Sequence, residues 1–266
     1  MKFPPVEAID DDELIDLFVK EAWNASRLKA GFFAKAWIPE VRTKRYYVLD
    51  YAEGTTLKEY ISKKPLHIDD AINLAKFLLK MSQFLIKLDL VHGDIKPENI
   101  IVNKRDEKLI FKMIDYGSIV EVFSINNKAG TPSYLAPERF EGASITEQSE
   151  IFSIGVTLYE SLTLKYPYGE IEPFQNPSFS NATRPKKHNN NIPSWLESVI
   201  LRALSSKTDD RYEVYSQMSF ELDHSDKVRA YFSKETPLID RDPLKFYKYG
   251  FFVMLVINFL IILSTT

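Results

Sequence analysis

A chain of 266 residues, 45% hydrophobic and 27% charged, has the composition of a globular protein with room for one large domain or two small ones. Its net charge of −3 argues against nucleic acid as a partner, since a nucleic-acid-binding domain is usually strongly basic. The absence of cysteine excludes disulfides, thiolate zinc sites and a cysteine nucleophile.

Residues 1–9 predict a strand end running into a proline-broken turn, and residues 1–12 lack the apolar core of a secretory signal. Asp10, Asp11, Asp12 and Glu13 put acid at a helix start, where the macrodipole favours it. Leu14, Leu17, Phe18, Ala22, Ala25 and Leu28 then recur at helical spacing, and Gly31 ends the run. Residues 37–41 and 45–51 predict two strands joined by a basic turn, with a break at Glu53-Gly54. Residues 57–61 predict a short helix and 68–88 a long one. A short strand is expected over 109–114, and a polar, mobile loop over 118–135. Residues 149–162 form the most hydrophobic internal helix, expected to be buried. Residues 167–193 read as loop, with Lys186-Lys187 as solvated charge, and 195–204 and 212–222 as closing helices. No internal repeat or low-complexity linker interrupts the chain. Strands followed by helices predict an α+β architecture, with a small β-containing lobe and a larger helical one.

Residues 249–263 are apolar apart from Gly250 and Asn258. Counted from Phe246 the stretch approaches the ~20 residues that span a bilayer, and it is apolar all round. A C-terminal transmembrane helix is therefore expected. Arg241, Lys245 and Lys248 on its N-terminal side would keep the preceding domain in the cytoplasm.

Three stretches carry chemistry. The first is Val91-His92-Gly93-Asp94-Ile95-Lys96-Pro97-Glu98-Asn99-Ile100-Ile101-Val102. The second is Met113-Ile114-Asp115-Tyr116-Gly117, and the third Gly130-Thr131-Pro132-Ser133-Tyr134-Leu135-Ala136-Pro137-Glu138. An isolated Asp-x-Lys is ordinary surface charge. In this order and spacing, the three resemble the catalytic loop, the Asp-Phe-Gly metal motif and the Ala-Pro-Glu motif of eukaryotic-type protein kinases. The resemblance implies a two-lobed kinase fold and phosphoryl transfer from ATP with Mg²⁺ to a protein hydroxyl. Asp94 matches the aspartate that orients the substrate hydroxyl. Lys96 matches the lysine beside the transferring phosphoryl group, and Thr131 the threonine that touches both. Asn99 and Asp115 match the magnesium ligands, hard oxygen donors that suit that ion. His92 is given a packing role, and Glu138 with Arg211 a structural ion pair. Lys96-Pro97 is the serine/threonine-kinase pattern.

Upstream, Glu21 in Phe18-Val19-Lys20-Glu21-Ala22 resembles the helix glutamate of the family, and Lys2 stands where its strand lysine would fall. An ordinary surface lysine at position 2 is the competing reading. No glycine-rich loop precedes Lys2, so the resemblance implies an incomplete small lobe, from the third strand onward. Leu49 would guard the adenine pocket, and Asp50 and Ala52 would meet the nucleotide from the hinge. The expected divisions are 1–49 small lobe, 50–54 hinge, 55–232 helical lobe, 233–248 juxtamembrane linker and 249–264 transmembrane helix. Departures are Gly93 for the usual arginine, Tyr116 for phenylalanine and Glu150 for aspartate. The missing arginine implies activity independent of phosphorylation at Ser118, Ser124 or Ser133.

The sequences at the two ends look similar to one bacterial group, the bifunctional serine/threonine kinase/phosphatases, whose phosphatase domain precedes the kinase. That likeness implies a truncated relative or an upstream start, and a single-pass protein of the bacterial inner membrane. Two other functions compete with the kinase reading. One is a pseudokinase-like binding module, suggested by the missing glycine loop. The other is a small-molecule phosphotransferase, whose loops also carry His-Gly-Asp.

Overall fold

Asp11 starts the first helix by accepting hydrogen bonds from the backbone N–H groups of Glu13 (3.0 Å) and Leu14 (3.1 Å), which would otherwise lack partners. In the computed structural model this helix is α1 (Asp12–Arg27), and it buries Phe18, Glu21, Ala22, Asn24 and Ala25. The structure describes residues 1–9, 11–124, 130–175, 177–232, 238–241 and 243–265; for residues 9, 240, 241, 243 and 259–265 it describes the backbone alone. The expected mobile loop and juxtamembrane linker therefore lie in part outside the described residues.

The small lobe has little sheet. β1 (Ala36–Trp37) pairs antiparallel with β2 (Val48–Leu49), and both are shorter than their sequence predicts. Lys2 extends this sheet. Its N–H donates to Tyr47 O (2.9 Å), and Tyr47 N–H donates to Lys2 O (3.1 Å). The following segment is tied to the metal-motif strand, since Met113 N–H donates to Phe32 O (2.8 Å) and Ala34 N–H to Met113 O (3.2 Å).

β3 (Thr55–Thr56) leads into α2 (Leu57–Ile61), whose start is fixed by a capping box between Thr56 and Glu59. α3 (Ile68–Ile86) buries Leu74, Leu78, Leu79, Met81 and Leu85 on one face. β4 (Leu90–Val91) enters the Asp94 loop, and β5 (Ile100–Arg105) leaves it. β6 (Lys108–Met113) returns antiparallel to β5, with Ile100 opposite Met113 and Arg105 opposite Lys108. β7 (Val120–Glu121) pairs back onto β4. These pairings place the Asp94 loop and Asp115 at the same end of one hairpin.

α4 (Pro137–Phe140) is followed by α5 (Glu147–Thr163), the pillar of the helical lobe. Ile151, Phe152, Ile154, Val156, Leu158, Tyr159 and Leu162 are all buried, as the sequence predicts for this helix, and Glu150, Thr157, Glu160 and Ser161 are buried with them. α6 (Ser194–Ala203) and α7 (Tyr215–Asp223) close the core around it. All of this belongs to one unit, Met1–Arg229. The arrangement is the kinase-like α+β fold that the sequence predicts.

A second unit, Ala230–Thr266, holds α8 (Leu238–Arg241) and α9 (Pro243–Thr265). Here the expectation of a transmembrane helix is corrected: among the described residues, no helix is long and apolar enough to cross a membrane. The physical reason is length. The 15 residues from 249 to 263, apolar but for Gly250 and Asn258, rise about 22 Å as a helix, against about 30 Å of bilayer hydrocarbon. Lys245 and Lys248 occupy the early turns of α9, and Asn258 interrupts the run, its side chain donating to Met254 O (2.9 Å). The membrane partner, the single-pass topology and the inner-membrane location drawn from that segment lose their basis with it.

Candidate active site

The Asp94 loop is held at both ends by apolar anchors, Val91, Ile95 and Ile100, each fully or almost fully buried. It is held from below by α5, where Thr157 Oγ1 donates to Ile95 O (3.3 Å). Gly93 has φ +84°, and a Cβ there would meet Ser118 O at 2.7 Å. That is the physical content of the departure at this position: the backbone turns through a conformation, and past a carbonyl, that a side chain would obstruct. The turn lets Gly93 N–H donate to Glu150 Oε1 (2.7 Å). Glu150 is buried, and its other oxygen accepts from Tyr215 Oη (2.8 Å). Burial pushes its carboxyl above the ordinary range, against the opposing influence of His92 and the Gly93 N–H.

The predicted residues of the large lobe converge on Asp94. Its Oδ1 accepts from Thr131 N–H (2.9 Å) and Thr131 Oγ1 (3.0 Å). Its Oδ2 faces Lys96 Nζ at 2.6 Å and accepts from Asn99 Nδ2 at 3.0 Å. Lys96 Nζ also donates to Thr131 Oγ1 (2.5 Å), so aspartate, lysine and threonine form a closed triangle. Asn99 Nδ2 further bonds Asp94 O (2.9 Å) and Asp115 Oδ2 (3.4 Å). With its amide nitrogen so engaged, the amide oxygen of Asn99 is the donor left for a cation. Asp115 Oδ1 accepts from Gly117 N–H (3.0 Å), and Oδ2 from Ser118 Oγ (3.3 Å). His92 is fully buried. Asp94 N–H points at its Nδ1 (3.3 Å), so the ring proton is assigned to Nε2, which donates to Asp115 O (3.1 Å). Thus the packing histidine fastens the metal-motif backbone to the Asp94 loop.

Lys2 and Glu21 also meet, at 2.5 Å between Nζ and Oε1. Glu21 lies beside the metal motif, its Cδ 3.6 Å from where a Cβ on Gly117 would stand. Tyr47 Oη donates to the same Glu21 oxygen (2.8 Å), and burial with the Glu21 charge drives the phenol's pKa far up. The sequence reading missed Tyr47, since nothing distinguishes it from any other strand aromatic. It also missed Asn24, buried on α1, whose Nδ2 donates to Ile119 O (3.0 Å) and ties the helix to the segment after Asp115. Tyr116 hydrogen-bonds Ala34 O, a contact phenylalanine cannot make.

The hinge residues are less tightly placed. Leu49 pairs with Ala36, and Asp50 N–H donates to Lys35 O (2.8 Å). Ala52 lines a cavity of about 270 Å³ with Tyr51, Glu53, Ile101, Asn103 and Lys112. Away from the cleft, Arg211 clasps Glu138 with two bonds of 2.7 Å and is itself buried. Ser118 and Ser133 are buried too.

The protein kinase domain family matches residues 30–221, well over half of the chain. Among similar proteins is the serine/threonine-protein kinase PrkC of Bacillus subtilis, 31% identical over 223 residues, covering 80% of this chain and 34% of that protein. A probable serine/threonine-protein kinase PknB of Lactococcus lactis is 28% identical over 248 residues, covering 85% of this chain and 38% of that one. The chain thus spans about a third of the length of these curated relatives. With the Asp94 network in place and this match over the same residues, the chain belongs to the protein kinase domain family.

Proposed function

We propose that this chain carries a protein serine/threonine kinase activity, moving the γ-phosphoryl group of ATP to a serine or threonine hydroxyl of a protein. The observation that carries this reading is the closed network of Asp94, Lys96 and Thr131, joined through Asn99 to Asp115. A carboxylate held by donors on both oxygens stays aimed, as a group must that receives a hydroxyl proton.

The roles follow from chemistry. Asp94 orients the acceptor hydroxyl and takes its proton as the oxygen bonds to γ-phosphorus and the bond to the bridging oxygen breaks. Lys96, at 2.6 Å from Asp94, brings a fixed positive charge to where negative charge gathers. Thr131 holds the lysine and the carboxylate in register. Asn99 and Asp115 are a neutral and an anionic oxygen donor on neighbouring atoms, a set that fits magnesium. Magnesium supplies charge neutralisation on the phosphates. Lys2, steadied by Glu21, offers a second cation for the phosphates. Leu49, Asp50 and Ala52 border the space for the adenine. The buried Ser118 and Ser133, and glycine at position 93, favour activity that needs no phosphorylation near the metal motif.

The reading is tested by offering the chain, with ATP and magnesium, a mixed protein acceptor beside choline and an aminosugar. Label on protein serine and threonine is the expected result. Label on the small alcohols alone would instead assign a small-molecule phosphotransferase.

A further inference from the structure

A second cluster of charge lies beside the Asp94 loop, and none of the roles above uses it. Lys58, on α2, reaches across to α5 and bonds Glu160 Oε1 at 2.5 Å and Tyr166 Oη at 3.1 Å. Its ammonium also stands 3.5 Å from Oε1 of Glu98, the residue next to Asn99 in the Asp94 loop. The other oxygen of Glu98, Oε2, is buried and has no hydrogen-bond partner among the described residues. Glu160 is almost fully buried and is also bonded by Tyr134 Oη, from the segment that touches Asp94 through Thr131. Burial works against the Lys58 charge, yet its bonds to Glu160 and Tyr166 hold its pKa far above the usual lysine value.

The cluster therefore holds two carboxylates, one ammonium and one unsatisfied carboxylate oxygen. Glu98 is four positions along the chain from Asp94, so the notch lies within about 14 Å of Asp94. A polypeptide presenting a hydroxyl to Asp94 reaches that far within about four residues of the acceptor. A long cationic side chain on such a peptide would find here the two carboxylates and the tyrosine hydroxyl that recognise an ammonium or guanidinium. In this chain that position is already taken by Lys58.

We propose that Lys58 is a specificity-determining residue: it fills an acidic subsite beside Asp94 from within, and so removes selection for arginine or lysine next to the acceptor serine. The inference rests on the kinase reading above and goes beyond it. It assigns the substrate class as peptides without a required basic flank, and it names the one side chain that sets this.

The test uses a peptide series with one serine, in which each of four positions on either side carries arginine or alanine in turn. For the full chain, kcat/KM for arginine over alanine should stay below about threefold at every position. Lys58→Met should raise the ratio to about tenfold or more at one position, and adding Glu98→Gln should cancel the gain. A merely structural tie between α2 and α5 would lower activity on all peptides alike and leave the ratio unmoved, which would overturn the proposal. So would an arginine preference of the unaltered chain that Glu98→Gln removes. Lys58→Gln is read in parallel, in case the methionine variant does not fold. Fluorescence anisotropy with alanine in place of the acceptor serine gives the same ratio from affinity alone. If the chain labels no peptide, the kinase reading fails, and the binding ratios still decide whether Lys58 closes the subsite.

Discussion

At the scale of single residues, the site is built from donors that satisfy one carboxylate and from a backbone that must turn to bring them there. Gly93 is the point of greatest constraint. It combines φ +84°, an N–H spent on the buried Glu150, and the Ser118 carbonyl where a side chain would begin. Gly93→Ala is therefore expected to lower stability by about 1–3 kcal/mol, read from chemical denaturation. A change within a few tenths of a kcal/mol would mean that the loop turns without help from glycine. Much of this scale was legible in the sequence. Asp94, Lys96 and Asn99 sit within one short loop, so their spacing alone places them together. Asp115 and Thr131 follow as separate motifs at family spacing. Tyr47, Asn24 and Lys58 were not legible. Their partners Glu21, Ile119 and Glu160 lie 26, 95 and 102 residues away, and no local pattern marks a tyrosine, an asparagine or a lysine for such a contact.

At the scale of elements, the helices with strong periodicity were readable and the short strands were not. α1, α3 and α5 announce themselves by apolar spacing and acidic or threonine starts. β3, β4 and β7 have two residues each, too few for alternation to register, and they form only because a partner strand is presented. The apolar tail misled for a related reason. Composition alone makes it look like a span, but its length falls short of the bilayer core. One tie between elements has a sharp consequence. Arg211, ahead of α7, is buried and satisfied by Glu138 on α4 and by the backbone carbonyls of Ser205, Ser206 and Gln148. Arg211→Ala would strand the Glu138 charge, at a cost of about 3–5 kcal/mol. Thermal or denaturant unfolding checks this. The double variant Arg211→Met/Glu138→Leu is expected to recover part of the loss, since it leaves no carboxylate uncompensated.

At the scale of the whole molecule, the unit Met1–Arg229 gathers the residues of the proposed active site from segments spread over most of its length. Lys2 and Glu21 come from the small lobe, Asp94 to Asn99 from the loop between β4 and β5, Asp115 from the end of the β5–β6 hairpin, and Thr131 from the segment before α4. The hairpin and α5 are the rigid parts on which these segments are hung. The central claim is that Asp94 works on a protein hydroxyl. The most direct measurement is transfer of labelled phosphate from ATP with magnesium to a protein acceptor, for the full chain beside Asp94→Asn. The account predicts label on serine and threonine, with a rate at least about 10²-fold lower for the variant. No transfer by the unaltered chain, or a rate unchanged by Asp94→Asn, would contradict it.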